Sequence, residues 1–161
     1  MNKKYRKGAI GALLDEYEKA IIELQDVIQN ISETDLKTVV DNVTADPNCK
    51  SIQTVLAHVV SSGYSYNIYI QNLKNKQLVR PDKVLRVSAS EYQKDLDKVF
   101  QFTCDTFADI TDNELEEFDN DKKIKTHWKQ FYDIEQIMEH AIVHILRHRR
   151  QIEKFKTALK S

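Results

Sequence analysis

The sequence predicts an all-α fold, a single four-helix bundle, and three observations carry that expectation. Glycine and proline are scarce, three and two in 161 residues, so the chain has few of the residues that punctuate turns and strands. Long segments repeat apolar residues at intervals of three and four, the spacing that lines one side of a helix. Those segments number four, and four amphipathic helices bury their stripes along a common axis. A chain of 161 residues has the length of one domain and hides roughly 70% of its unfolded surface. Residues 1–161 therefore read as one domain.

The first helix is expected over residues 7–31, with Ile10, Leu13, Leu14, Tyr17, Ile21, Leu24 and Ile28 on one stripe and Asp15, Glu16, Lys19, Glu23 and Gln25 on the polar side. A loop with the turn signal Asp46-Pro47-Asn48 follows, and Ser51 is a good N-cap for a second helix reaching residue 73. Its inner stripe is Ile52, Val55, Leu56, Val59, Tyr66, Ile70 and Leu73. Beyond the Arg80-Pro81-Asp82 connector, Ser88 and Glu91 have capping-box spacing, which starts a third helix running to residue 110. The segment 111–132 is polar and mixed and predicts little regular structure, with Trp128 and Phe131 tucked back onto the bundle. Asp133, followed by Gln136, caps the last helix, whose buried side is Ile134, Ile137, Ala141, Ile145, Ile152, Phe155 and Leu159. No internal repeat or low-complexity tract interrupts this order.

Composition narrows the function classes. With 41% hydrophobic and 30% charged residues and a net charge of −1, the chain is globular rather than disordered. Near-neutrality also argues against a nucleic-acid binder, because phosphate contacts need Lys and Arg gathered on one face. The basic start, Met1 to Lys7, is followed within a few residues by Asp15 and Glu16, so no secretory leader is expected. Nor does any run supply the roughly 18 apolar residues of a membrane span. The expectation is a soluble, cytoplasmic protein with no membrane partner. Cys49 and Cys104 lie far apart without a CxxC and read as free thiols.

The histidines carry the chemistry. Of the five, His140, His144 and His148 recur at four-residue intervals on the last helix and drift only about 40° per step. Measured from Ile134, they fall at about 240°, 280° and 320°, with the apolar stripe near 0°. His148 thus faces the core, His144 sits at its edge and His140 is the most exposed. An i, i+4 pair of imidazoles can reach one ion at the usual metal–nitrogen distance of about 2.0–2.1 Å. His58, bordering the stripe of the second helix, is the natural third donor. Three histidines on two helices leave coordination positions open, as a catalytic or substrate-binding metal requires. An HxxxH pair also arises by chance as surface or core histidines, and spacing alone leaves both readings open.

Two stretches resemble the DinB-like (DinB/YfiT) superfamily. Residues 53–64, Gln-Thr-Val-Leu-Ala-His-Val-Val-Ser-Ser-Gly-Tyr, are similar to its second helix, where a histidine follows a short apolar run. Residues 140–152, His-Ala-Ile-Val-His-Ile-Leu-Arg-His-Arg-Arg-Gln-Ile, look like its HxxxH helix, which usually ends in His-Arg-Gly-Gln and an aliphatic residue. The resemblance implies a four-helix bundle of the DinB/YfiT type holding a divalent ion, commonly nickel or zinc. Aligned on residues 148–151, it selects His144 and His148, with His58 from the second helix. Arg150 stands where the family has glycine, and His140 is an additional histidine whose role the family does not fix.

Characterised relatives include thiol-dependent isomerases and transferases, and others are described as metal-dependent hydrolases, so the resemblance implies a small-molecule substrate and a low-molecular-weight thiol as a possible cofactor. A non-enzymatic metal-binding or dimerisation bundle is the rival reading. Relatives are often dimers, and Ile22, Ile68, Ile142 and Val143 fall outside the main stripes, which predicts a homodimer. No general base is evident: Glu135 and Glu139 project away from the histidines at about 100° and 140°. Tyr64 and Tyr66 read as core before pocket lining, His140 as a solvated histidine before a group that supports a ligand or transfers a proton, and Arg147, Arg149, Arg150 and Lys154 as a solvated basic face before an attractor of an anionic substrate or of a thiol cofactor's carboxylates. Gln151 is placed either to bond a ligand imidazole or to cap the stripe.

Overall fold

Four long helices and a short one make up most of the chain in a computed structural model that describes residues 4–160. They are α1 (Gly8–Ile28), α2 (Glu33–Lys37), α3 (Ile52–Leu73), α4 (Ala89–Phe107) and α5 (Ile134–Leu159), with a two-residue hairpin, β1 (Ile124–Lys125) and β2 (Phe131–Tyr132), before α5. The basic start expected at residues 1–3, and the last residue of the expected domain, lie outside the described residues.

Side-chain chemistry sets where the later long helices begin. Ser51 accepts the Thr54 N–H and the Thr54 hydroxyl accepts the Ser51 N–H. Ser88 with Glu91 and Asp133 with Gln136 form the same reciprocal boxes at α4 and α5, each satisfying amides that the first turn leaves without partners. α1 has no such local cap. The Asp112 carboxylate, about a hundred residues away, accepts the Ala9 and Ile10 N–H groups at 3.0 Å each, where a negative charge also complements the helix dipole. Gly8, at φ +77°, makes room for it, since a Cβ there would collide with the Asp112 carboxylate.

α1 packs on α4 and α5, and α3 packs on the same two helices, so the four long helices enclose one core. Leu24, Ile28, Ile52, Leu56, Ile70, Leu96, Ile137 and Ile152 lie at its centre with at most 1% of their surface exposed. Each such side chain contributes about 1.5–3 kcal/mol relative to exposure. Gly63 sets the closeness of α3 and α4: a Cβ there would sit 2.5 Å from Val99 Cγ1 and 3.1 Å from the Tyr17 hydroxyl. Gly63→Ala is therefore expected to overpack this contact. A cost of about 1–3 kcal/mol set against roughly 1 kcal/mol of helix propensity should leave a lower urea midpoint at unchanged m-value. A midpoint equal to or above that of the parent would show that Val99 yields freely.

The structure departs from the sequence expectations at several points. α1 ends at Ile28 rather than residue 31, because Ile31 turns back to donate to the Ile28 carbonyl and Ser32 then caps the unexpected α2. α4 ends at Phe107, while Ile110, 7% exposed, reaches the core from the following turn. Trp128 packs on the core as expected, but Phe131 is 46% exposed. The hairpin pairs Ile124 with Tyr132 and Lys125 with Phe131, and alternate strand positions face opposite sides. Ile124 and Tyr132 turn inward, and Phe131 is left outside beside Lys125, whose ammonium lies 5.9 Å from its ring centre. Ile68, expected outside, is 8% exposed, on a helix that packs also against α2, the Pro47–Cys49 turn and β1. Ile142 is half-buried against the core, whereas Ile22 and Val143 keep about half their surface, 50% and 52%. Both cysteines are free thiols, and among the described residues no helix is long and apolar enough to cross a membrane.

Candidate metal centre

The packing of α3 on α5 brings His58 onto the pair that α5 presents one turn apart. The ring centres lie 4.9 Å apart for His58–His144, 5.0 Å for His58–His148 and 4.4 Å for His144–His148. One nitrogen from each ring falls within 4.8 Å of the others. His58 Nε2 and His144 Nε2 are 3.0 Å apart. Two ligands at about 2.05 Å from one ion would be separated by roughly 2.9 Å at a right angle and 3.3 Å in a tetrahedron, so this spacing already suits a shared cation. His144 and His148 are buried, at 8% and 7% exposure, and His58 is half-buried.

The protonation pattern fits the same use. His148 Nδ1 lies 2.9 Å from Gln151 Oε1. An amide oxygen only accepts, so Nδ1 carries the hydrogen and the lone pair of Nε2 is free for a metal. Burial, and then repulsion by the neighbouring rings, pushes the His58 pKa down to about 4 and that of His144 further still. Burial also lowers His148, against the opposing pull of Gln151 and Asp46. All three imidazoles are neutral at pH 7, the form that ligates. Among the described residues no other histidine, cysteine or carboxylate joins them.

A cavity of about 400 Å³ opens onto His58 and His144. Ser61, Ser62, Ser65 and Tyr66 of α3 line it, together with Asn48, Arg80, Lys83 and Arg147. Trp128, His127 and His140 complete the lining, and among the described residues no carboxylate belongs to it. His140 is not in the ligand triad, as the wheel indicates, but neither is it solvated. It stacks on Trp128 at 5.2 Å and 20°, touches Tyr66 and Tyr132 edge-on or tilted, and is half-buried. Burial, with Arg147 nearby, lowers its pKa. Tyr66 is both core, at 4% exposure, and cavity wall, whereas Tyr64 faces elsewhere.

The basic run of α5 divides. Arg149 pairs with Glu23 of α1 and, at 3.7 Å, with Glu153, while Arg150 and Lys154 are exposed. Only Arg147 reaches the cavity. Glu135 and Glu139 lie along the groove between α5 and α1 with Leu13 and Glu16, away from the histidines as expected. Arg80, Lys83, the serines and Trp128 had no signal in the sequence as cavity residues, because the loops that carry the basic pair and the indole are placed only by tertiary packing. Comparison with protein-family models finds no match to this chain, and comparison with curated proteins finds no significant relative.

Proposed function

We propose that the chain is a DinB-like protein, a four-helix bundle of the DinB/YfiT type, that holds one divalent ion, nickel or zinc, on His58, His144 and His148. In this reading it is a cytoplasmic enzyme that transfers a low-molecular-weight thiol to a small molecule. The observation that carries the proposal is the convergence of three neutral imidazole nitrogens within 4.8 Å beside an open cavity of about 400 Å³. A structural site is ordinarily closed by four protein ligands, so the open side favours a working centre over a merely stabilising one.

When bound, a divalent ion on three uncharged ligands keeps its full charge and can acidify a thiol held beside it. The protein's own residues do the rest. Gln151 holds the His148 ring in the ligating tautomer, and Trp128 and Tyr66 supply aromatic surface to the cavity. His140, its ring centre 6.3 Å from that of His144, is the neutral group placed to exchange a proton with a bound molecule. The absence of a lining carboxylate favours a thiol over water as nucleophile, since a thiol of pKa about 8.5 needs less help from a general base. The same reading makes the protein a homodimer, with half-exposed Ile22 and Val143 among the apolar residues available for the contact.

Cobalt(II) substitution tests this directly. Adding glutathione, cysteine or mercaptoethanol should produce a sulfur-to-cobalt charge-transfer band, absent in His144→Ala, together with conjugation of chlorodinitrobenzene. If none of these thiols alters the spectrum while esters or amides are cleaved in a metal-dependent way, the hydrolase reading replaces it. If neither class reacts, the enzyme reading fails.

A further inference from the structure

We propose that the cavity beside His58 and His144 is built for an anion: its ligand carries a carboxylate or phosphate group that Arg80, Lys83 and Arg147 hold. This deepens the reading of that site as a centre acting on a small molecule and rests on it for the ligand's role, though the anion site itself stands on separate residues.

The three cations come from two parts of the fold, Arg80 and Lys83 from the connector between α3 and α4 and Arg147 from α5. Among the described residues none of them is paired with a carboxylate. Partners are not in short supply: the chain has 25 acidic residues against 24 Lys and Arg, and elsewhere Arg6, Arg86 and Arg149 all find them. What holds Arg80 and Lys83 in place is neutral. Arg80 Nη1 donates to Ser65 Oγ at 3.4 Å, and Lys83 Nζ donates to the Asn48 side-chain oxygen. These contacts position the head groups without cancelling their charge, which is how an anion site is preorganised. The hydroxyls of Ser61, Ser62 and Ser65, which line the same cavity, add neutral hydrogen-bonding groups.

Arg80, Lys83 and Arg147 line the same cavity as His58 and His144, so their field reaches the triad. Left alone, that field opposes a divalent ion in the triad. An anion in the cavity offsets it, so the two ligands should strengthen each other by the same factor. A volume of about 400 Å³ limits the partner to a small molecule.

The test is calorimetric titration of the full chain, metal-free and zinc-loaded, with succinate, with inorganic phosphate, and with neutral succinamide. Succinate or phosphate should bind in both forms, more tightly with zinc, and weaken as salt is raised; the tighter of the two identifies the group. Succinamide should not bind. The combined variant R80Q/K83Q/R147Q should bind the anion at least tenfold more weakly while keeping its zinc. Anion binding by metal-free protein that the variant abolishes would uphold the site even if the chain proved to hold no metal. Affinity unchanged in the variant, binding that exists only through zinc, or no binding of either anion would overturn it.

Discussion

Purified protein should carry about one divalent ion per chain, and His58→Ala, His144→Ala or His148→Ala should each remove most of it, whereas His140→Ala keeps it. The contrast follows from geometry: three imidazole nitrogens converge within 4.8 Å, while His140 is committed to its stack on Trp128. Zinc bound to small protein sites is worth about 10–16 kcal/mol, so losing one donor of three forfeits on the order of 3 kcal/mol or more, over a hundredfold in affinity. Gln151→Leu should keep the ligands but release the His148 ring, a loss of about 10–100-fold in metal affinity. Elemental analysis after dialysis reads the first set, and competition with a chromophoric chelator reads the second. Circular dichroism of each variant separates ligand loss from unfolding. Metal retained by His144→Ala and lost by His140→Ala would overturn the assignment.

The helix starts were legible because their chemistry is local. Ser51, Ser88 and Asp133 reach only three residues ahead, and each cap stands where its residue type and spacing put it. The i, i+4 pair His144 and His148 was legible for the same reason, and so was His58, whose place at the edge of an apolar stripe survives any reasonable packing of two helices. What escaped depends on contacts distant in sequence. α1 takes its cap from Asp112. His140 lies at an exposed wheel angle but is covered by Trp128, which arrives from the loop before α5. Phe131 and Tyr132 exchange the burial that their hydrophobicity suggests because a two-residue hairpin, not the apolar pattern, fixes which faces inward. Arg80 and Lys83 read as part of a polar connector, and only tertiary packing brings them into the cavity lining.

Acid should weaken the metal-free protein in a window set by the histidines. His58, His144 and His148 have pKa values pushed below the usual 6.5, first by burial, so the unfolded chain binds more protons than the folded one below that pH. Stability must then rise with pH across the window. The contribution is complete above pH 6.5 and is lost as pH falls through the folded value, about 4 for His58. At 1.36 kcal/mol per pH unit, His58 alone accounts for roughly 3 kcal/mol, and the other two add in the same direction. Carboxylates act lower: Glu114, held down to about 2 by Lys74 and the Thr111 amide, loses its contribution only below its ordinary value of 4.5. Urea midpoints at pH 7.5, 6 and 5 therefore isolate the histidines. The midpoint should fall between the first and last, and the slope should flatten in the double variant H58A/H144A. The metal-loaded protein should start higher and shed its ion only as pH falls toward the folded values of its donors, about 4 for His58, where protons compete for the same lone pairs. A metal-free midpoint that stays level from pH 7.5 to 5 would mean that these imidazoles are not held neutral by the fold, and the proposed donor set would lose its physical basis.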